Sequence, residues 1–202
     1  MEPTRSSRTV QPTRSSRLMW QLRVSSLDPP GTRRGLPVPF AFSERRPESG
    51  KVLDAAPHME PFNTLPRILI PSTRYAWKPP CLHYAWLAPE AMLLDYAKKN
   101  KLNRRLGRKL NVPGTMRAAL LAMIIREGVA DISQDYLRIQ TSPVGMKEEA
   151  TLLVAVYTNF DLKRADLPSD HTIEKIRQRL GMEGPPRWYL DSTYWYWEPL
   201  SR

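Results

Sequence analysis

The sequence predicts an α+β fold, in which one small domain of three or four helices and a small antiparallel sheet occupies residues 67–202. After residue 88, apolar residues recur at helical spacing in several segments. Two strand-like segments lie between the last two of these helix-like segments. Thirteen of the 20 prolines lie in residues 1–80, where they oppose helices and internal strands. Residues 1–66 are therefore predicted to be a disordered arm and linker rich in proline, arginine and serine.

The arm contains a direct repeat, because the Pro-Thr-Arg-Ser-Ser-Arg of residues 3–8 returns at residues 12–17. Its first 27 residues contain five arginines and a single acid. This composition is typical of a mitochondrial transit peptide, whereas the prolines favour a merely disordered arm. A third interpretation is that translation starts at Met59. We expect the first sixty-odd residues to contribute nothing to the core, with Phe40 and Phe42 as isolated contacts.

The domain is expected to begin with a short edge strand at residues 68–70. Two identical Tyr-Ala-Trp tripeptides follow, at residues 75–77 and 84–86. Their aromatic side chains should anchor an extended segment on the core, because aromatic burial is large. The alternative is a stacking platform for bases or for a proline-rich ligand.

Three helices are predicted next, over residues 89–99, 101–110 and 116–127. The second rests on Leu102, Leu106 and Leu110, whose spacing of four residues places them on one helix face. The third has almost no polar face and should be the central buried helix, with Thr115 as its N-cap. We expect it to share one interior with the strand around Val154.

A strand pair and a last helix complete the domain. Residues 136–141 alternate between apolar and polar, and residues 151–157 are apolar on both faces. These patterns predict an antiparallel hairpin joined by a loop at residues 143–147. The last helix is predicted over residues 172–180, with Ser169 or the residue after it as the cap.

The charge and the cysteine count limit the partners and the compartment. The formal net charge of +11 favours acidic partners such as nucleic acid, anionic lipid or acidic proteins. Cys81 is the only cysteine, which excludes an internal disulfide and favours a reduced, intracellular setting. The longest apolar run has eight residues, whereas a membrane-spanning helix needs about 20. We expect a cytoplasmic or nuclear protein without a transmembrane segment, or a mitochondrial one if the arm is a transit peptide.

The strongest functional signal is a run of basic residues within twelve positions: Lys98, Lys99, Lys101, Arg104, Arg105, Arg108 and Lys109. Such a run could neutralise nucleic-acid phosphates, and it also suits a nuclear localisation signal, an acidic protein groove or a membrane surface. The alternative is a solvated face whose lysine and arginine stems cover the leucines. The leading hypothesis is a non-enzymatic binding module that uses a basic helix to engage an anionic partner, either nucleic acid or an acidic protein.

The second signal is a C-terminal aromatic patch that comprises Trp188, Tyr194, Trp195, Tyr196 and Trp197. In an extended strand the two tyrosines 194 and 196 would face one way, and the two tryptophans 195 and 197 the other. One pair should belong to the core, and the other could form an exposed binding patch. The rival hypothesis is an enzyme of unrecognised class with a pocket near these aromatic residues and residues 84–86.

Catalytic and metal-binding patterns are weak, and no cofactor is predicted. The chain has no Gly-x-Ser-x-Gly, no glycine-rich phosphate loop and no His-Glu-x-x-His. Cys81 and His83 lie two residues apart, but His58 and His171 are distant, and zinc needs three or four ligands. His171 and Glu174 share a helix face, for which a solvent-facing pair is the simpler explanation. No metal site is therefore predicted.

Residues 173–191 contain Glu-Lys-Ile at 174–176, Leu-Gly at 180–181 and Pro-Arg-Trp-Tyr-Leu-Asp at 186–191. With these motifs the segment resembles small uncharacterised proteins encoded by mushroom-forming fungi. The resemblance covers under a tenth of the chain. It implies a fungal origin, and it brings no activity, cofactor or site residue with it.

Overall fold

The computed structural model describes residues 36–43, 45–72, 77–144 and 151–200. Its centre is a four-stranded antiparallel sheet made of β2 (Leu82–Leu87), β5 (Arg138–Ser142), β6 (Thr151–Thr158) and β7 (Arg187–Leu190), in the order β5-β6-β2-β7. Two further pairs are β1 (Trp77–Lys78) with β8 (Glu198–Pro199) and β3 (Arg105–Leu106) with β4 (Lys109–Leu110). Helices accompany these sheets, so the predicted α+β class is confirmed.

Strand β6 lies between β5 and β2, and its five residues from Leu153 to Tyr157 are all buried. Leu153 and Val154 project to opposite faces of the sheet and are both fully buried, which explains why this segment is apolar at successive positions. Strand β5 pairs with β6 in antiparallel register, with Ile139 opposite Val154. The predicted hairpin is therefore confirmed, although most of its connecting loop lies outside the described residues.

Within the described residues there are four α-helices: α1 (Ser49–Ala55), α2 (Glu90–Lys99), α3 (Val112–Leu121) and α4 (Asp170–Arg179). α2 confirms the helix predicted over residues 89–99, and α4 confirms the last predicted helix to within two residues at its start. The predicted cap of α4 is correct, since the Ser169 hydroxyl accepts a hydrogen bond from the Thr172 N–H at 3.1 Å.

Helix α3 is the central buried helix, and a π-helical turn at Ala122–Arg126 continues it. Leu120 and Ile124 are fully buried in the same core as Val154, as expected. The predicted cap is wrong, because α3 begins one turn earlier and Asn111 caps it through the Gly114 N–H at 3.0 Å. A Cβ on residue 114 would lie 2.7 Å from the Asn111 side chain, so this cap requires glycine there.

Two predicted elements take another form. The edge strand predicted at residues 68–70 is wrong, because the chain forms a 3₁₀ turn at Arg67–Leu69 that places Leu69 in the core. The prolines at positions 66 and 71 flank this turn, and a segment so short can bury one leucine without pairing along a sheet. The helix predicted over residues 101–110 is also wrong, since β3 and β4 form a hairpin there.

The expectation that the first sixty-odd residues contribute nothing to the core is wrong for residues 36–66. Phe40, Val52 and Leu65 are buried members of the core. Phe62 exchanges two backbone hydrogen bonds with Trp188, at 3.0 and 2.8 Å, at the β7 edge of the central sheet. These apolar residues have no regular period, so a search for helical or strand spacing could not detect their burial. The predicted arm over residues 1–35 lies outside the described residues.

Among the described residues, no helix combines the length and the apolar character that crossing a bilayer requires.

Candidate functional site

The predicted basic residues form one exposed region at the end of α2 and on the β3–β4 hairpin. We define the basic surface as Lys98, Lys99, Lys101, Arg104, Arg105, Arg108 and Lys109, all of which are exposed. Two further exposed arginines on the next helix, Arg117 and Arg126, belong to the same stretch of chain. Between Asp95 and Glu127 the sequence contains nine lysines and arginines and no acid. This stretch of chain therefore contributes only positive charges to the surface.

The first half of the basic surface is shaped by the way α2 ends. The Leu102 N–H donates to the Ala97 carbonyl at 2.8 Å, and the Lys101 N–H donates to the Lys98 carbonyl. These two bonds form a Schellman motif, which needs a left-handed residue after the helix. Lys101 takes that position with φ of 57°, where glycine is usual. The sharp reversal brings the hairpin directly after the lysines of the last helical turn.

The second half is a tight β-hairpin, not the predicted helix. Arg105 pairs with Leu110 and Leu106 with Lys109, across a two-residue turn that begins at Gly107. Gly107 has φ of 62°, a conformation that favours glycine and is used by tight hairpin turns. Leu106 is 78% exposed and Leu110 is 45% exposed, so of the three leucines that suggested a helix only Leu102 packs against the core.

Thr115 attaches the hairpin to α3. Its hydroxyl accepts a hydrogen bond from the Arg104 N–H at 2.9 Å and donates to the Arg104 carbonyl at 3.3 Å. The Asn111 N–H also donates to the Arg104 carbonyl, at 2.9 Å. Thr115 is completely buried, so these bonds are shielded from water. The base of the hairpin is thereby held in one position, although its side chains are exposed.

A cavity of about 280 Å³ adjoins the basic surface. Its lining combines three arginines with apolar side chains: Arg104, Arg117, Arg126, Leu102, Ala118, Leu121 and Gly114. None of these lining residues is an acid or a histidine. The cavity can therefore offer cationic hydrogen-bond donors beside an apolar wall, and it does not offer a general base.

The basic surface is not neutralised by the described part of the protein. In residues 36–43, 45–72, 77–144 and 151–200, no ion pair involves a member of the basic surface. The acid that ends the interval, Glu127, is engaged elsewhere, since it accepts hydrogen bonds from the Tyr96 hydroxyl and from Arg179. The hydrogen bond from Tyr96, with that from Arg179, holds the pKa of Glu127 below its usual value.

The predicted aromatic patch does not form one exposed surface. Trp188, Trp195 and Trp197 are buried, Tyr196 is half-buried, and Tyr194 is 58% exposed. The expectation that one of the two alternating pairs belongs to the core is confirmed for the tryptophans 195 and 197. The tripeptide at residues 84–86 likewise lies in the core, and residues 75 and 76 of the other tripeptide lie outside the described residues.

A second cluster consists of Cys81, His83 and Asp191. The spacing in the sequence pointed to the first two residues but gave no sign of Asp191. One ligand atom from each of the three lies within 4.8 Å of the other two. His83 Nε2 lies 2.6 Å from Asp191 Oδ2, and both side chains are buried. Since Asp191 lies 108 residues after His83, no local spacing could have revealed it. The other pair considered, His171 with Glu174, does not form a site, because Glu174 accepts hydrogen bonds from Arg177 at 2.8 and 2.7 Å.

Burial and neighbouring charge set the protonation of this cluster. Burial raises the pKa of the Cys81 thiol to about 12, and the carboxylates of Asp191 and Asp161 add to the effect. Burial alone would raise the pKa of Asp191, but the hydrogen bond with His83 and those from two backbone N–H groups lower it below its usual value. The thiol is therefore protonated near neutral pH, while the Asp191 carboxylate is charged.

Comparison with models of known protein families, with curated protein sequences and with solved structures finds no match to this chain.

Proposed function

We propose that the protein is a non-enzymatic binding module whose basic surface engages nucleic acid through its phosphates. The observation that carries this proposal is the run of nine lysines and arginines without an acid between Asp95 and Glu127, on exposed side chains. Each phosphate contact by such a cation releases condensed counterions, which gives sequence-independent affinity.

The rigid support of the basic surface favours a binding role over a merely solvated face. A solvated face needs no fixed backbone, yet Thr115 and Asn111 hold the Arg104 backbone through three hydrogen bonds. The tight turn at Gly107 then presents Arg105, Arg108 and their neighbours on a short, fixed projection. Fixed cations lose less side-chain and backbone freedom on binding than cations on a mobile loop.

The cavity beside the hairpin supports nucleic acid over an acidic protein. Arginine forms paired hydrogen bonds with phosphate oxygens and also stacks on planar rings. Arg104, Arg117 and Arg126 line this cavity together with apolar side chains. A nucleotide presents a phosphate next to a sugar and a flat base, which suits that combination better than isolated carboxylates do.

The rival enzyme hypothesis receives less support. It requires a pocket near the aromatic residues 84–86 and 188–197, where most of these side chains are part of the core. The cavity at the basic surface is lined by arginines and apolar residues, which bind anions without supplying a nucleophile or a general base.

The proposal is tested by titrating the full chain with a short labelled duplex and a single strand, followed by fluorescence anisotropy. If about four phosphates are neutralised, affinity for the duplex should fall about 100-fold between roughly 50 and 200 mM salt. The triple variant Arg104→Glu, Arg105→Glu and Arg108→Glu should weaken binding at least about tenfold. It should also reduce the slope of log affinity against log salt by roughly 2–3.

The matched control reverses three exposed lysines on other elements, Lys51→Glu, Lys163→Glu and Lys175→Glu. It changes net charge equally and should leave affinity within about threefold, because distant exposed charges are screened. Absence of binding at low salt, binding that does not depend on salt, or an equal loss in the control would each contradict the proposal. Equally tight binding of poly-glutamate would identify an acidic protein as the partner instead.

A further inference from the structure

The cluster of Cys81, His83 and Asp191 lies on the central sheet, on elements other than those of the basic surface. Cys81 comes directly before β2, His83 lies in it, and Asp191 comes directly after β7. Their three ligand atoms lie within 4.8 Å of one another. Cys81 is half-buried, whereas His83 and Asp191 are 3% and 7% exposed. Cys81 is thus the most accessible residue of the three.

Backbone pairing places the three side chains together. Residues two apart in extended chain project to the same side, so Cys81 and His83 share one face. Strands β2 and β7 are antiparallel, with Leu82 opposite Leu190, and the Asp191 N–H donates to the Cys81 carbonyl at 3.0 Å. The cluster is therefore a consequence of sheet register, not of a flexible loop.

The Asp191 carboxylate is held in a fixed orientation. Its Oδ1 accepts hydrogen bonds from the Thr193 and Tyr194 N–H groups, both at 2.7 Å. Its Oδ2 faces His83 Nε2 at 2.6 Å. The segment that follows is tied back to the sheet, since the Cys81 N–H donates to the Tyr194 carbonyl at 2.7 Å. This second layer of bonds resembles the support that orients metal ligands.

The three donors suit zinc in type and approximate spacing. Zinc is bound by cysteine sulfur at about 2.3 Å and by histidine nitrogen or carboxylate oxygen at about 2.0–2.2 Å. In a tetrahedral site, ligand atoms are therefore roughly 3.3–3.6 Å apart. The His83–Asp191 pair at 2.6 Å is closer than this because the two atoms are hydrogen-bonded to each other. The pair must separate by about 0.7–1 Å to admit the ion.

We propose that Cys81, His83 and Asp191 bind one zinc ion, with the fourth position open toward the accessible side of Cys81. Binding releases the proton of the thiol, and bonds to the ion replace the hydrogen bond between His83 and Asp191; the ring proton of His83 is then carried on Nδ1, so that the ion is held by a thiolate, a neutral imidazole and a carboxylate. The bound ion also joins the start of β2 to the segment that carries Tyr194.

The experiment uses the full chain, stripped of metal with a chelator and kept reduced. Zinc is titrated in competition with a chromophoric chelator, and cobalt(II) is added separately as a spectroscopic probe. We expect one zinc per chain, a melting temperature that rises with zinc concentration, and a thiolate-to-cobalt charge-transfer band. Because the chain contains one cysteine, such a band can arise only from Cys81.

Cys81→Ser and Cys81→Ala should abolish the charge-transfer band and weaken zinc binding by roughly 10- to 100-fold or more. Circular dichroism verifies that both variants are folded. The control, His171→Ala, removes an exposed histidine outside the cluster and should change neither measurement. Absence of zinc binding, zinc binding unchanged by the cysteine variants, or a cobalt spectrum without the band would each overturn the proposal. Absence of zinc binding would leave His83 and Asp191 as a structural hydrogen-bonded pair only.

Discussion

Within the basic surface, Lys101 combines an unfavourable backbone conformation with a charge. Lys101 occupies the left-handed position that ends α2, with φ of 57°. A residue with a Cβ costs about 1–2 kcal/mol there relative to glycine. Strained residues persist where the surrounding structure holds them, and they concentrate at functional positions. We infer that Lys101 is present for its charge, at some cost in stability.

Lys101→Gly should therefore raise the free energy of unfolding and weaken nucleic-acid binding. Removing the strain should stabilise the protein by about 0.5–1 kcal/mol, after allowance for the greater freedom of glycine in the unfolded chain. Urea denaturation and the anisotropy titration measure the two effects. Lys99→Gly is the matched control, because it removes the same charge from the last turn of α2 and should cost about 1 kcal/mol. A Lys101→Gly protein less stable than the wild type would refute this interpretation.

Thr115 has a different role from the one that its sequence position predicts. Its position before an apolar run predicts an N-cap, but Asn111 holds that role and Thr115 lies in the first turn of α3. There its buried hydroxyl bonds to both polar backbone groups of Arg104. Side-chain hydroxyls bond nearby backbone groups readily, and the fold decides which ones are near.

At the scale of elements, the hairpin of β3 and β4 outcompetes a helix of the same residues. A helix over residues 101–110 would place Gly107 in its interior at a cost of about 1 kcal/mol, whereas the hairpin turn uses its φ of 62°. The three leucines would stabilise a helix only if another apolar surface covered them. Leu106 is 78% exposed, so no such surface is present within the described residues.

Helix α4 contains a surface ion pair whose effect on stability is sensitive to acid. Glu174 accepts two hydrogen bonds from Arg177, and these, with one from Gln178, lower the pKa of Glu174 from 4.5 to about 2. A carboxyl whose pKa is lower in the folded state than in the unfolded state stabilises the protein at pH values above the unfolded-state pKa. That contribution is lost as the pH falls from about 4.5 to 2. Because the pair is exposed, the effect should be modest.

We expect Glu174→Gln to lower the melting temperature at pH 7 and to have progressively less effect as the pH falls from 4.5 to 2. Thermal melts across this pH range measure the difference between variant and wild type. The control is Glu183→Gln, at an exposed position beyond the end of α4, which should lower the melting temperature less at pH 7. A difference for Glu174→Gln that is constant from pH 7 to pH 2 would show that the ion pair contributes nothing.

At the scale of the whole molecule, residues 36–66 are part of the core and not a linker to it. Phe40 contacts Phe62 with ring centroids 4.7 Å apart, and its carbonyl accepts a hydrogen bond from the Trp197 indole. Arg46 lies over the Tyr196 ring at 4.3 Å. The early segment and the C-terminal aromatic residues therefore cover one another, which is why most of the predicted aromatic patch is unavailable to a partner.

A chain that begins at Met59 should be less stable than one that begins at Leu36, by roughly 2–4 kcal/mol. The shorter chain loses the buried side chains of Phe40 and Val52, whose burial contributes about 1.5–3 kcal/mol each before the entropy of ordering the segment is subtracted. Urea denaturation of the two chains measures the difference. Equal stability would mean that translation from Met59 yields the complete core and that the docking of residues 36–58 is incidental.

The amino-acid sequence by itself determined the helices α2, α3 and α4, the β5–β6 hairpin and the location of the basic run. Apolar period and charge are local properties, so a helix or strand that faces a core is visible in its own residues. The basic residues were likewise identified before the fold, since exposed cations need no long-range partner.

Only the tertiary structure decided which apolar residues are buried where the sequence shows no helical or strand spacing. It also decided which polar residues lie next to one another. Residues 105–110 form a hairpin and not the predicted helix, because no apolar surface covers Leu106. Phe40 belongs to the core because the aromatic residues of the C-terminal segment cover it. His83 and Asp191 are adjacent because β2 and β7 pair in register. Each outcome depends on contacts between segments far apart in the chain, and the free energy of such contacts is not encoded in either segment alone.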